Sequence, residues 1–235
     1  MRTLIASDWH LGRYSSADTA RLAETFLRRA LDAGDAVILN GDIFECLFEP
    51  ADQAEAAHAD LSALIARMTS SGQLQRTEGN HDPGTGPAAI VLTHQALGRI
   101  LVAHGHSVDS IRNSLPGRIG DAVSRRFGWM PLVRRAARLA EVTAGLTLNR
   151  VERVFSARCI SLVDRATCTF GVFGHIHRSH LSPGDRYVNA GHLTDTRLEF
   201  VALTTNEAML EHLDLSAIES SPARVGEPAG GLSQE

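Results

Sequence analysis

Five short motifs between residues 8 and 177 combine aspartate, asparagine and histidine. In chain order they are Asp8-Trp9-His10, Gly41-Asp42, Gly79-Asn80-His81-Asp82, His104-Gly105-His106 and Gly174-His175-Ile176-His177. Any one of them alone is typical of a turn or a strand end. Together they supply hard oxygen donors and imidazole nitrogens, which suit Mn²⁺, Fe or Zn²⁺ rather than Ca²⁺. The motifs therefore predict a metal centre that activates water to attack a phosphoryl group and displace its leaving group.

The composition excludes several other chemistries. All 23 basic residues are arginine, so the chain has no lysine for a Schiff base, for pyridoxal phosphate or for a phosphate-binding P-loop. With 235 residues, 43% of them hydrophobic, and a net charge of −4, the chain is expected to fold. Cys46, Cys159 and Cys168 lack metal-ligand spacing and are interpreted as free thiols, with an oxidised pair as the alternative.

The sequence also favours a cytoplasmic protein. No apolar run approaches the roughly 20 residues needed to span a bilayer. The apolar stretch that begins the chain, up to Ala6, is too short for a signal peptide.

Hydrophobic periodicity in the first part of the chain predicts alternating strands and helices. The predicted elements are a strand at 3–7, a helix at 17–33, a strand at 36–40, a helix at 52–70 and a strand at 73–77. This alternation is typical of a mainly parallel sheet that is covered on both faces. Ligands of such sheets bind beyond the carboxyl ends of the strands. Because Asp8, Asp42 and Asn80 each follow a predicted strand, we expect them to meet at one edge.

The rest of the chain is predicted to add a hairpin, a helical insertion and further strands. The predicted elements are a hairpin of 89–93 and 99–103, a helix at 148–162, and strands at 168–173, 186–190, 198–204 and 208–213. The hairpin leads to His104, and the strand at 168–173 leads to His175. We therefore expect one domain over 1–215, with a helical insertion at about 107–166. Its composition predicts that 216–235 is a disordered tail.

The ordered motifs resemble those of the calcineurin-like binuclear metallophosphoesterases. The resemblance implies an α/β fold, a four-layer αββα sandwich with a helical cap insertion. It also implies two divalent ions that share Asp42; Mn²⁺ is favoured, with Fe or Zn²⁺ as alternatives. The implied ligands are Asp8, His10, Asp42 and His177 for one ion, and Asp42, Asn80, His104 and His175 for the other.

The same resemblance implies roles for the histidines beside the ligands. His81 would face the oxygen of the leaving group, as a general acid or as a stabiliser of its negative charge. Asp82 would orient His81. His106 and His192 are candidates to contact the ligand side chains without binding metal themselves.

Within this superfamily, three segments resemble the UDP-2,3-diacylglucosamine hydrolases. They are Ser-Asp-Trp-His-Leu-Gly, Gly-Asp-Ile-Phe-Glu and His-Gly-His-Ser-Val-Asp, and the long insertion after them is similar too. This resemblance implies cleavage of a pyrophosphate in a nucleotide-linked lipid. Two differences favour a general phosphomonoesterase, phosphodiesterase or nuclease instead: His81 stands where those enzymes carry arginine, and His106 where they carry aspartate. A non-catalytic metal-binding scaffold is a further alternative.

Residues 111–140 carry seven arginines and one acidic residue, Asp121. The arginines are Arg112, Arg118, Arg125, Arg126, Arg134, Arg135 and Arg138. They are candidates for substrate binding, since a guanidinium binds phosphate through two hydrogen bonds; the alternative is a solvated helix face. With Phe127 and Trp129 they are also typical of peripheral contact with the inner membrane. The net charge argues against an extended nucleic-acid footprint. The expected partner is a phosphate-containing small molecule or lipid, and the oligomeric state stays open.

Overall fold

A computed structural model describes residues 2–109, 113–127, 130, 148–182 and 184–219. Its strands are β1 (Thr3–Ala6), β2 (Ala36–Asn40), β3 (Leu74–Thr77), β4 (Ile90–His94), β5 (Gly98–Val102), β6 (Phe170–Phe173), β7 (Tyr187–Asn189), β8 (Arg197–Leu203) and β9 (Ala208–Asp214). Its α-helices are α1 (Ala17–Ala33), α2 (Ala51–Ala56), α3 (Ala59–Ser70), α4 (Leu115–Phe127), α5 (Leu148–Arg165) and α6 (Leu215–Glu219). A short 3₁₀ turn covers His106–Val108.

The strands form two mixed sheets. The first has the order β3-β2-β1-β8-β9. Strands β1, β2 and β3 run parallel, β8 pairs antiparallel with β1, and β9 pairs antiparallel with β8. The second has the order β4-β5-β6-β7, in which only the β4–β5 pair is antiparallel. Both faces of the first sheet are covered, as the sequence predicted. The second sheet, and not a helix layer, covers the inner face of the first.

Alternation along β2 explains this arrangement. Val37 and Leu39 lie in a cluster with residues of α1 and α3, whereas Ile38 lies in a different cluster with Ile100 and Val102 of β5. Because neighbouring side chains of a strand point to opposite faces, β2 packs against helices on one side and against the second sheet on the other.

The outer face of the second sheet packs against α5. Phe155, Cys159 and Val163, spaced four residues apart on that helix, pack with Leu101 and Phe173. The layers are therefore helices, sheet, sheet and helix. This confirms the four-layer αββα sandwich.

Several predicted boundaries agree with the structure. The bounds of α1 and β2 are those predicted, and Gly34 ends α1 with a left-handed backbone at φ 68°. The helix predicted at 52–70 is wrong in one respect, because it is divided into α2 and α3. The turn between them places His58 Nε2 3.0 Å from the carbonyl oxygen of Gly12, which fixes the chain at this point.

The insertion and the tail also differ from expectation. Because α5 covers the second sheet, the last part of the predicted cap belongs to the framework. Residues 216–219, predicted to be disordered, form most of α6, and Ile218 packs against the first sheet's core; residues 220–235 lie outside the described chain. No helix in the described part is long and apolar enough to cross a membrane.

Candidate metal centre

The carboxyl ends of parallel strands from both sheets meet at one edge of the sandwich. Asp8 follows β1, Asp42 follows β2 and Asn80 follows β3 in the first sheet; His104 follows β5 and His175 follows β6 in the second. The sandwich therefore brings together residues that are far apart in the chain, as in the contact of the backbone N–H of His175 with Asp8 Oδ2 at 2.9 Å, across 167 positions.

Asp8, His10 and His177 form a first cluster of potential ligand atoms, the Asp8 cluster. Asp8 Oδ1 lies 3.3 Å from His177 Nε2 and 3.8 Å from His10 Nε2. The two imidazole nitrogens lie 2.9 Å apart. Two nitrogens bound at about 2.1 Å and at right angles to one ion would be about 3.0 Å apart, so this spacing suits two ligands of a single metal.

Asp42, His104 and His175 form a second cluster, the Asp42 cluster. His104 Nε2 lies 3.1 Å from Asp42 Oδ2, and both side chains are buried. The other nitrogen of His104, Nδ1, lies 2.9 Å from the carbonyl oxygen of Asn40, which orients the ring. Since Asp42 Oδ2 also lies 3.9 Å from His10 Nε2, this carboxylate stands between the two clusters.

The backbone is held in an unusual conformation at these residues. The potential ligands Asp8, His10, Asp42, His175 and His177 all have φ between 47° and 75°. Among the described residues, Thr167 is the sole other non-glycine residue with a positive φ. Such conformations cost of the order of 1–3 kcal/mol each and concentrate at functional sites.

Neighbouring loops hold these strained segments in place. The N–H groups of Trp9 and His10 both donate to the carbonyl oxygen of Asp42, at 2.9 and 3.0 Å. Gly79 lies so close to Asp42 that a Cβ would collide with its backbone nitrogen and carboxylate. A larger residue in place of Gly79 would therefore push the Asp42 loop away.

The carboxylates and imidazoles of the Asp8 and Asp42 clusters change one another's pKa values. Burial alone would raise the pKa of Asp8, but the imidazoles of His104, His10 and His177 hold it well below its usual value. Burial opposes protonation of His104, yet Asp42 and Asp8 raise its pKa to about 9. Because metal ligands must be deprotonated, cations and protons compete for these atoms.

His81 lies against His10 of the Asp8 cluster. Its ring is held by Glu45, a residue that the sequence interpretation missed. Glu45 Oε1 lies 2.6 Å from His81 Nδ1, and Glu45 Oε2 lies 3.4 Å from His10 Nδ1. Burial opposes ionisation of Glu45, but His81 and His10 lower its pKa to about 2. An ionised carboxylate thus joins the two imidazoles. Its signal in the sequence was an acid three residues after Asp42.

Asp82 has a different environment from the one expected. Its carboxylate accepts the N–H groups of Asp42 at 2.8 Å, Ile43 at 2.9 Å and Gly79 at 3.0 Å. We expected Asp82 to orient His81, but the carboxylate against the His81 ring is that of Glu45. The contacts of Asp82 instead fix the backbone that carries Asp42.

A family model described as calcineurin-like phosphoesterase matches residues 1–179. The chain belongs to this family. The match includes every residue from Asp8 to His177 that was expected to bind metal, and it leaves out His192. Calcineurin-like phosphoesterases are metal-dependent hydrolases, which agrees with the Asp8 and Asp42 clusters.

Solved structures are similar to this chain at low sequence identity and low TM-score. A protein described as a predicted phosphoesterase from Streptococcus pneumoniae is 14% identical, with 92% of this chain and 90% of that chain covered and a TM-score of 0.46. A dimetal phosphatase from Danio rerio is 11% identical, with 89% and 98% covered and a TM-score of 0.45. A Vps29 mutant from Entamoeba histolytica is 15% identical, with 91% and 99% covered and a TM-score of 0.42. A search of curated proteins gave no match. These likenesses set no substrate.

The residues of this calcineurin-like chain fit divalent metals. Asp8 Oδ1 is buried and has no hydrogen-bond partner among the described residues. It faces imidazole nitrogens, and a buried carboxylate oxygen without a partner is costly unless a cation or a proton compensates it. The mixture of carboxylate and imidazole is the donor set expected for Mn²⁺, Fe or Zn²⁺.

The remaining predicted site residues are Asn80, His106 and His192. Asn80 is buried directly before His81, whose N–H donates to Asp42 Oδ1 at 2.7 Å. The ring of His106 lies 5.5 Å from that of His104, and the ring of His192 stacks on His177 at 5.6 Å. Burial and the nearby His104 and His175 lower the pKa of His106 to about 4. The rings of His106 and His192 thus lie beside predicted ligands, and their role there stays a prediction.

Most of the predicted substrate-binding arginines cannot be placed. Arg112, Arg134, Arg135 and Arg138 lie outside the described residues. Arg118 and Arg125 belong to α4, where the structure describes their backbone. Arg126 is exposed and lies above the ring of Phe127. Their role in binding stays a prediction.

Cys46, four residues after Asp42, belongs to none of the groups of potential ligand atoms among the described residues. Burial, Asp82 and Glu45 raise the pKa of its thiol to about 12, and the thiolate is the metal-binding form. The three cysteines are free, as the sequence indicated.

Replacing Asp82 with alanine is expected to destabilise the protein. The change leaves the buried N–H groups of Asp42, Ile43 and Gly79 without their acceptor. An unsatisfied buried donor costs about 1–3 kcal/mol, so the free energy of unfolding should fall by at least that amount. Urea denaturation followed by circular dichroism measures the effect, and Asp32→Ala, at an exposed position of α1, is the control. An Asp82→Ala variant of normal stability that lacks hydrolytic activity would restore the catalytic role.

Proposed function

We propose that the protein is a binuclear metal-dependent hydrolase that cleaves a phosphoester or pyrophosphate bond in one in-line step. The observation that carries this proposal is the position of Asp42 between two clusters of ligand atoms, 3.1 Å from His104 Nε2 and 3.9 Å from His10 Nε2. A carboxylate in that position is suited to bridge two ions about 3.5–4 Å apart.

The residues that would hold the ions follow from the clusters. The Asp8 cluster with Asp42 would hold one ion, and the Asp42 cluster with Asn80 the other. We propose Mn²⁺ as the native metal, with Fe or Zn²⁺ as alternatives, because carboxylate, amide and imidazole donors are mixed here. When bound, two such ions supply charge stabilisation at the phosphoryl oxygens and lower the pKa of water toward about 7.

His81 and Glu45 supply the proton chemistry in this proposal. The Glu45 carboxylate accepts a hydrogen bond from His81 Nδ1, at 2.6 Å, and so keeps the ring in one orientation. The other nitrogen, Nε2, lies 3.9 Å from Asp42 Oδ2 and therefore at the metal-binding edge. His81 Nε2 would then donate a proton to the departing oxygen of the substrate.

For the substrate, we propose a nucleotide-linked lipid such as UDP-2,3-diacylglucosamine. Ile119, Val123 and Phe127 are exposed along one face of α4, in the segment that carries the seven arginines. Apolar surface beside guanidinium groups suits acyl chains joined to phosphates, and also peripheral membrane contact. The alternative is a general phosphodiesterase or phosphomonoesterase, which the presence of His81 favours.

Replacing Asp42 with alanine is expected to abolish hydrolysis. The wild-type protein with Mn²⁺ should hydrolyse bis-p-nitrophenyl phosphate or p-nitrophenyl phosphate, and Asp42→Ala should lose both this activity and the bound metal, since Asp42 serves both ions. Absorbance of p-nitrophenolate and metal analysis of the purified protein measure the two effects, with Asp32→Ala as the control. Full activity after exhaustive chelation would refute the metal mechanism. Two bound ions without hydrolysis of any substrate would favour the non-catalytic scaffold.

Replacing His81 with alanine is expected to slow turnover without loss of metal. General acid catalysis contributes about 10²–10⁴-fold, so kcat for phenyl phosphate esters should fall by that factor. The loss should be smaller for p-nitrophenyl esters, whose leaving group departs without protonation. Glu45→Gln should give a smaller loss of about 10-fold, and Glu55→Gln, at an exposed position of α2, should have none. If His81→Ala loses its metal, or if both esters slow equally, His81 does not act as the acid.

A substrate panel with Mn²⁺ tests the lipid proposal. The panel contains UDP-2,3-diacylglucosamine, cyclic nucleotides, dinucleoside polyphosphates, phosphopeptides and single-stranded DNA. We expect kcat/KM for the nucleotide-linked lipid to exceed the others by at least about 10-fold, since several pocket contacts each contribute discrimination of that order. Preference for DNA, with binding that weakens steeply as salt rises, would favour the nuclease.

A further inference from the structure

His175 has a carboxylate partner that lies outside the two clusters. Asp109 Oδ2 lies 2.9 Å from His175 Nε2, within hydrogen-bonding distance. The His175 side chain is 7% exposed and that of Asp109 23% exposed, so the contact is largely shielded from water. We propose that Asp109 is a positioning residue, which selects the tautomer of His175 so that Nδ1 is the nitrogen available to a metal.

The loop that carries Asp109 is well anchored. It leaves the 3₁₀ turn that follows His104, and the N–H of Asp109 donates to the carbonyl oxygen of His106 at 3.2 Å. Arg158 of α5 donates to the carbonyl oxygen of Val108 at 3.1 Å. Asn113 donates through its backbone to the carbonyl oxygen of Asp109 at 3.0 Å. The Asp109 carboxylate therefore projects from a loop that is tied to α5.

The backbone and ring of His175 are held independently of Asp109. Its N–H donates to Asp8 Oδ2, and its φ is 75°. The ring lies 5.3 Å from that of His104 and 5.7 Å from that of Phe155. These contacts set the position of the ring, but they do not select which nitrogen carries the proton.

Asp109 makes that selection. An ionised carboxylate accepts hydrogen bonds and donates none, so the His175 nitrogen that faces it, Nε2, carries the proton. In a neutral imidazole the other nitrogen then has the lone pair that a metal needs. A carboxylate behind a histidine ligand fixes its tautomer and orientation in this way.

His104, the other histidine of the Asp42 cluster, is oriented by a comparable contact. The carbonyl oxygen of Asn40 faces His104 Nδ1, so that Nε2 faces Asp42. In both histidines of the Asp42 cluster, one nitrogen contacts an oxygen acceptor and the other would bind metal. Asp109 itself is not part of the group formed by Asp42, His104 and His175, which argues for positioning rather than direct coordination.

The inference rests on the proposed second metal site, and metal binding tests it without reference to activity. Titration of the full-length metal-free chain with Mn²⁺, by calorimetry and by competition with a chromophoric chelator, should show two sites in the wild type. In Asp109→Ala, the affinity of one site should fall by about 10–100-fold while the other is unchanged. Asp109→Asn, which retains an acceptor oxygen, should lose less.

The chain offers a matched control. Asp185 Oδ2 lies 2.8 Å from His180 Nε2, a similar carboxylate–histidine contact outside the two clusters. Asp185→Ala should leave both metal affinities at their wild-type values. Two sites of wild-type affinity in Asp109→Ala would overturn the inference. A wild type that binds fewer than two ions would instead contradict the proposed binuclear function.

Histidine ¹⁵N NMR gives a second readout, which is measured on the wild-type chain. In the wild-type chain, with and without Zn²⁺, the His175 signals should show a protonated Nε2, and Zn²⁺ should shift Nδ1. The signals are assigned by their loss in His175→Gln. Protonation of Nδ1 in the metal-free chain, or coordination of Zn²⁺ through Nε2, would overturn the inference.

Discussion

The structure depends on two carboxylates, Asp8 and Asp42, that are buried where the two sheets meet. A buried carboxylate is costly unless opposite charge or hydrogen bonds compensate it. Here the compensation comes from imidazoles of both sheets, with His177 Nε2 3.3 Å from Asp8 and His104 Nε2 3.1 Å from Asp42. The same residues provide the atoms that divalent metals of the calcineurin-like family need. The buried charges that are costly to the fold are thus the ones that suit this edge to bind metal.

Holding these residues requires a strained backbone, and the sandwich supplies the rigidity that this needs. Five potential ligands adopt φ values between 47° and 75°, in loops that start directly at strand ends. The strands behind them are fixed by two cores, one between the sheets and one beneath α1 and α3. Helix α5 adds a third layer of packing behind His104 and His175. Strain in the loops is tolerated because the elements on either side are tightly packed.

Residues behind the potential ligands divide into two groups by what they hold. Asp82 holds backbone, because its oxygens accept N–H groups of the Asp42 loop. Glu45 and Asp109 hold imidazole rings, at 2.6 Å from His81 and 2.9 Å from His175. Loss of an acceptor for backbone lowers stability, whereas under our proposals loss of an acceptor for a ring removes the group that selects which nitrogen carries the proton. The distinction separates stability from metal affinity and turnover.

The amino-acid sequence by itself determined the residue types, their order and most elements that carry them. Periodicity located α1 and β2, and the motifs lie where their strands end, so the Asp and His residues could be named in advance. It did not determine that the strands divide between two sheets, because alternation shows which side chains are buried but not what buries them. Nor did it determine that Glu45, and not Asp82, contacts His81, or that Asp109 contacts His175. Those pairs are 36 and 66 positions apart in the chain. Local sequence patterns do not predict contacts between residues so far apart. Only the tertiary structure, through the packing of the two sheets and α5, decided these contacts.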